Sequence, residues 1–461
     1  MDDDYKDSDI TKQVIHIFGN PINNTYNYRQ QLDPIIPENF ESLEARIPNL
    51  IKNVIEEFSL AKSIFDIVTY LSTPNLTSIE FEIPELKSKI MEILSLEKYP
   101  EAMHYTVKLV GQLWYFISPD SDSIWIDPEI ARLLINSINV IDIRSLPYVY
   151  FSLSNYICLD EEFIPYFFTV DDLFFNKYKT IMRSYTSPQI LTSGLLFLQK
   201  LLVYQNEDFY QIMTDLIPIL RAHMKNMIPR VRLLSLACIH QLIQYPPAKE
   251  FSYQQGVPQV LLEYIRDAPY SFVSSAFDVI CDYLESPVRE FFINFDFLSS
   301  LIDILQRTYE GDYEDKEIGM IFAIFTNLQT HEQVLNFFEE KDIYGLAVNF
   351  IIQMSTFYKV PAAIFLALEL ENGHLNYRAK LIQNYRVFEA LTLSLDLIND
   401  SNTASLIFTQ VYVLLQENTQ GYLPICFDND VCDILNENSE NYDEKTQKII
   451  EEILKFIDER M

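Results

Sequence analysis

Glycine is nearly missing from this chain. Nine glycines stand among 461 residues, where average usage is about 7%. Tight hairpins, phosphate-cradling loops and dinucleotide folds need glycine, because it alone takes positive φ cheaply. Their absence leaves helices joined by proline and polar corners. Long apolar runs are missing as well. None reaches the roughly 18 residues of a membrane span, so no membrane insertion is expected. Positive charge is scarce: 34 Lys and Arg face 66 Asp and Glu, a net charge of −32. That disfavours nucleic-acid binding, which rests on neutralising phosphates, and docking on anionic lipid. It favours solubility and attraction to basic partners. Cysteine is limited to Cys158, Cys238, Cys281, Cys426 and Cys432, mostly within apolar runs, as reduced thiols in a cytosolic or nuclear protein would be. Met1-Asp2-Asp3-Asp4 lacks the basic start of a signal peptide.

What remains is apolar and helical. Hydrophobic residues make up 49% of the chain. Ile47, Leu50, Ile51, Val54, Ile55 and Phe58 follow three- and four-residue spacing, with Lys52, Glu56 and Glu57 outward. Residues 229–243 are apolar on almost every side, as in a helix buried all round. The two kinds alternate, and the openings recur. They read Ile47-Pro48, Ile83-Pro84, Asp127-Pro128, Val170-Asp171, Asp215-Leu216-Ile217-Pro218 and Gly256-Val257-Pro258, then Asp296-Phe297, Asp342-Ile343 and Arg386-Val387. The period is roughly 42 residues, inside the range of helical-repeat arrays. One such unit cannot bury its apolar face alone; stacked copies share a continuous core.

The segment Phe251 to Leu262 resembles the armadillo repeat: Gly256 ends one unit, Val257-Pro258 opens the next long helix, and leucines follow. Ser275 to Ile280 is similar to the third helix of that repeat. The resemblance implies an all-α right-handed superhelix of about nine units over residues 42–426. An acidic, flexible tail and linker at 1–41 and a capping helix at 427–461 complete the expected organisation. A narrower similarity is to importin-alpha, whose third helices grip extended cargo with a Trp and, four residues on, an Asn. Asn155 and Asn327 occupy the Asn places, with Phe151 and Ala323 where Trp would stand. That resemblance implies peptide-backbone contacts at Asn155 and Asn327.

Chemistry is hard to assemble. His331-Glu332 begins like a zinc-protease helix, but Leu335 stands at the second His. Asp428-Asn429-Asp430 starts like a calcium loop that lacks its glycine and its final glutamate. No cofactor or metal is expected, and no enzyme. Charge is more informative. Residues 177–249 hold Lys177, Lys179, Arg183, Lys200, Arg221, Lys225, Arg230, Arg232 and Lys249 against Glu207, Asp208 and Asp215. A basic patch at Lys177, Lys179, Arg183, Arg221, Lys225, Arg230 and Arg232 offers forks to acidic peptide. The acidic head at Asp2, Asp3, Asp4, Asp7 and Asp9 is a candidate internal ligand for it. The expected function is a non-catalytic adaptor that binds extended protein segments along its concave face, in the cytosol or nucleus. An importin-like cargo adaptor is the alternative.

Overall fold

The computed structural model describes residues 45–460, apart from 73–80, 97, 120, 170–172, 204–206, 268–269, 285–286, 309–314, 354–358 and 373–374. The acidic head and the linker to residue 41 lie outside the described residues. Phe163, Phe167, Phe174 and Phe175 are buried.

Among the described residues every regular element is a helix. Ten helix pairs recur. The residues up to Val257 hold α1 (Ile47–Ile55), α2 (Leu60–Leu71), α3 (Pro84–Ser95), α4 (Pro100–Phe116) and α5 (Pro128–Ser137). They continue with α6 (Leu146–Ile157), α7 (Leu173–Ser184), α8 (Pro188–Leu202), α9 (Ile217–Met224) and α10 (Pro229–Leu242). The rest holds α11 (Val257–Asp267), α12 (Tyr270–Leu284), α13 (Phe295–Thr308), α14 (Asp315–Leu328), α15 (Ile343–Gln353) and α16 (Val360–Asn372). It ends with α17 (Val387–Thr392), α18 (Ser401–Glu417), α19 (Val431–Asn438) and α20 (Glu444–Asp458). The even-numbered helices begin 40 to 46 residues apart, which is the repeat read from the sequence. The described residues divide at 257/258 into two compact units.

Local chemistry sets the helix ends. Proline starts α3, α4, α5, α8 and α10, where its missing N–H is no loss. Aspartates cap α18 and α20: Asp400 accepts from Thr403 N and Asp443 from Thr446 N, both at 2.8 Å. Ile47, Leu50, Ile51 and Val54 form the buried stripe of α1.

In the first unit the even helices lie side by side in register. Ser152 Oγ of α6 donates to Val107 O of α4 at 2.8 Å, and Asn155 Nδ2 donates to Gly111 O at 3.0 Å. Gln112 Nε2 of α4 reaches Ser72 Oγ past the end of α2 at 3.2 Å. Partners 40 to 45 residues apart therefore meet at each step. Both tryptophans close this unit: Trp114 Nε1 donates to Trp125 O at 2.7 Å and Trp125 Nε1 to Phe81 O at 3.0 Å.

Gly111 is what lets α6 approach α4. A Cβ there would collide with Ser152 Oγ and the Phe151 ring. Gly111→Ala is therefore expected to destabilise this unit by about 1–3 kcal/mol through overpacking. Tryptophan fluorescence reports it directly, because both tryptophans lie in this unit; an unchanged melt would refute the close approach.

The end of the chain differs from expectation. The boundary at 427 falls inside the helix Thr419–Asp428, and residues 427–461 hold α19 and α20 rather than one capping helix. Residues 419–458 repeat the order of a short helix and a pair, tied back by Tyr442 Oη to Ile398 O at 2.7 Å and Thr446 Oγ1 to Ser401 O at 3.1 Å. The sequence reading assigned these residues to a cap; no proline opens the pair, as none opens α15 or α17. Asp430, at φ 52, makes the turn instead.

Candidate functional site

Each pair of the first unit turns a corner between its odd and even helix. Every one of those five corners exposes one large apolar side chain: Phe58, Leu96, Val140, Tyr185 and Met227. Phe58 is 67% exposed and Met227 91%. Phe65, Phe116, Val203 and Tyr253 of this unit are exposed as well, but none of them recurs in every pair as the corner residues do. In the other unit the last two corners are built differently: Ile398 and Tyr442 there are buried.

The corners are neighbours in space. Tyr99 Oη, at the second, donates to Glu57 Oε1, at the first, at 3.0 Å. His104 Nδ1 and Ser145 Oγ lie 2.6 Å apart between the second and third. Tyr150 of α6 packs on Phe197 of α8, centroids 5.8 Å apart, and on Tyr178 of α7 at 5.6 Å. His223 Nε2 meets Met182 O at 2.8 Å, joining the end of α9 to the end of α7. Because consecutive even helices pack on one another, the five corners follow in a row along the edge where α2, α4, α6, α8 and α10 begin.

A depression of about 840 Å³ opens on this edge between the second and third corners. Pro100, Glu101 and His104 line one wall, and Val140, Asp142 and Arg144 the other. Arg144 forks onto Asp142 at 2.7 Å and holds that carboxyl down at about 2. Burial, then the Lys108 and Arg144 cations, push His104 down to about 4, against the pull of Asp142. The imidazole is thus neutral at neutral pH. Ser145 is buried, so the His104–Ser145 pair ties α4 to the start of α6 rather than presenting a hydroxyl. Because the folded-state value lies below the unfolded one, this contribution to stability is full above about pH 6.5 and is lost as pH falls toward 4. His104→Gln is expected to flatten that part of the acid limb in tryptophan-monitored melts. Parallel curves for the two proteins would contradict it.

The basic residues differ in their surroundings. Arg183, Lys225 and Arg230 are exposed at the fourth and fifth corners, beside Tyr185 and Met227. Arg232 is half-buried one turn into α10. No acidic residue occurs in 183–206 or 216–249, so this end of the row is positive. Lys177 is exposed too, but it stands six residues before Arg183 on α7, about 9 Å down the helix axis. Three other cations have defined surroundings. Lys179 pairs with Asp215 at 3.0 Å. Arg221 donates to the carbonyl of Gly256, a positive-φ corner, at 3.3 Å. Lys200 is buried in α8, its ammonium pulled down by burial, beside the Cys158 thiol.

Asn155 does not face a ligand surface. It is fully buried, and its amide is spent on the Gly111 carbonyl, so it offers nothing to a cargo peptide. Asn327, half-buried on α14, donates to Ala323 O at 2.9 Å within its own helix. The apolar row itself escaped sequence reading. Its one signal is an apolar residue two to four places before a helix-opening proline: Leu96 before Pro100, Tyr185 before Pro188, Met227 before Pro229.

Among the described residues no group of three or more His, Cys, Asp or Glu side chains converges as metal ligands, and no helix is long and apolar enough to cross a membrane. No family model matches the sequence, and no curated protein matches it. In fold the chain is similar to the crystal structure of an engineered protein from the Northeast Structural Genomics Consortium. The two share 12% identity and a TM-score of 0.58 over 89% of this chain and 98% of that one. With its neighbour-packed consecutive helices, the chain is an all-α helical repeat protein.

Proposed function

We propose that the protein is a non-catalytic interaction scaffold of armadillo type, and that its ligands are acidic, apolar-containing protein segments bound along the corner edge. The observation that carries the reading is the row Phe58, Leu96, Val140, Tyr185 and Met227, with Arg183, Lys225 and Arg230 around its last two members. Contiguous apolar exposure rimmed by charge marks interaction surfaces. A rigid stack holds such side chains at fixed spacing, so a ligand meets little reorganisation cost. The basic end sets the sign of the partner, in a chain that is otherwise strongly acidic. The same acidity repels an anionic bilayer, which favours protein over lipid. The partner surface in this reading is the corner edge rather than a concave groove.

The test is a titration with two fluorescent peptides, one of Leu and Glu, the other with Lys for every Glu. The Leu–Glu peptide is expected to bind at least tenfold more tightly, with affinity falling as salt rises. Equal binding, or preference for the Lys peptide, would refute the reading.

A further inference from the structure

The spacing of the row constrains the shape of its ligand; this step rests on the reading just given. The apolar side chains stand at successive corners, one for each even helix, and those helices pack directly against one another. Packed helices lie about 8–10 Å apart. A bound segment that uses every corner must therefore return a side chain to the same face each 8–10 Å.

Three backbone forms can be compared. An extended β-strand returns to one face every two residues, about 7 Å, which is too short. An α-helix does so each seven residues, about 10.5 Å, just above that range. It would also bring a broad apolar stripe that a line of single side chains cannot cover. A polyproline II helix has three residues per turn and a 3.1 Å rise, so it repeats each ~9.3 Å. That value falls within the helix spacing, and its solvated backbone needs no hydrogen-bonding edge, which a row of helix corners does not supply.

We infer that the corner edge of residues 45–257 takes an acidic protein segment in the polyproline II conformation, with an apolar side chain at every third position. The apolar side chains seat between successive members of the row. The depression between the second and third corners gives one of them a deeper place. The carboxylates lie densest against Arg183, Lys225 and Arg230.

The experiment uses the full chain and three labelled peptides. The first repeats Leu-Pro-Glu five times. The second has the same composition with the leucines moved off the three-residue period. The third is a Leu–Glu helix former with leucines in heptad positions. The Leu-Pro-Glu peptide is expected to bind at least tenfold more tightly than either. Met227→Ser is expected to weaken it several-fold, and 91% exposure of Met227 leaves the fold unaffected by that change. Comparable binding of the permuted or the heptad peptide overturns the spacing, while the preference for acidic ligands stands. If no Glu peptide outbinds its Lys counterpart, the underlying reading fails as well. Binding to phosphatidylserine vesicles with none of the peptides bound overturns both.

Discussion

Reversing three charges together, Arg183→Glu, Lys225→Glu and Arg230→Glu, is expected to lower affinity for a Leu–Glu peptide about 100-fold. All three are exposed at the fourth and fifth corners, and no acidic residue accompanies them in 183–206 or 216–249. An exposed ion pair contributes only up to about 1 kcal/mol. Reversal replaces attraction with repulsion at three places, so about 3 kcal/mol is lost, which is roughly a factor of 100. Folding should scarcely notice, because surface substitutions of this kind stay within about 0.5 kcal/mol each. Reversal at Lys177, farther down α7, is the control and should cost far less. Tryptophan fluorescence separates loss of binding from loss of fold, since Trp114 and Trp125 both report on this unit. A triple variant that binds as well as the parent would show that the basic corners are ordinary surface.

The second large effect concerns Glu369. Every residue of α16 from Val360 to Leu370 is buried, the glutamate included. Burial pushes its carboxyl up to about 7; the nearby Tyr344 hydroxyl pulls the other way. The folded-state value thus lies above the unfolded one, near 4.5. Stability from this group is full below pH 4.5 and is lost as pH rises through 7. Between pH 5 and pH 8 the loss comes to about 2–3 kcal/mol. Glu369→Gln keeps the shape without the charge. At pH 8 the variant's second unit should melt about 5–10 °C higher than the parent's, with little difference at pH 5. The change appears in circular dichroism and hydrogen exchange, not in tryptophan fluorescence, because the unit 258–461 contains no tryptophan. Equal melting at pH 8 would mean that the carboxylate is solvated. His104 in the first unit has the opposite sign, so acid loosens one unit and base the other.

The repeat was legible because proline and apolar residues mark the same place in each copy. Ile47, Pro84, Pro128, Ile217, Val257, Ile343 and Val387 lie at or within a residue of the openings read from the sequence, and each starts a helix. Those positions have few physical alternatives: proline suits a first turn, and an apolar residue there faces the neighbouring helix. Side-chain destinations were not legible in the same way. Asn155 looks like a surface residue on a helix. It is satisfied in the core only because Gly111, 44 positions away, lacks a side chain and leaves its carbonyl reachable. Lys200 and Arg221 carry the same charge as Arg230, yet one is buried beside Cys158 and the other holds a turn at Gly256. Charge along a sequence counts residues; only packing decides which reach solvent. The apolar row was hidden for the converse reason. Phe58 and Met227 belong to residue types that usually fill cores, and nothing local distinguishes a corner that turns outward from one, like Tyr442, that turns in.

The most direct test is the binding of the Leu-Pro-Glu peptide to the full chain, beside its Lys counterpart and the Arg183, Lys225 and Arg230 reversal. The expected result is saturable, salt-sensitive binding of the Glu peptide, at least tenfold tighter than the Lys peptide and lost in the triple variant. Binding that ignores peptide charge, or survives the reversal unchanged, would contradict a ligand edge at these corners.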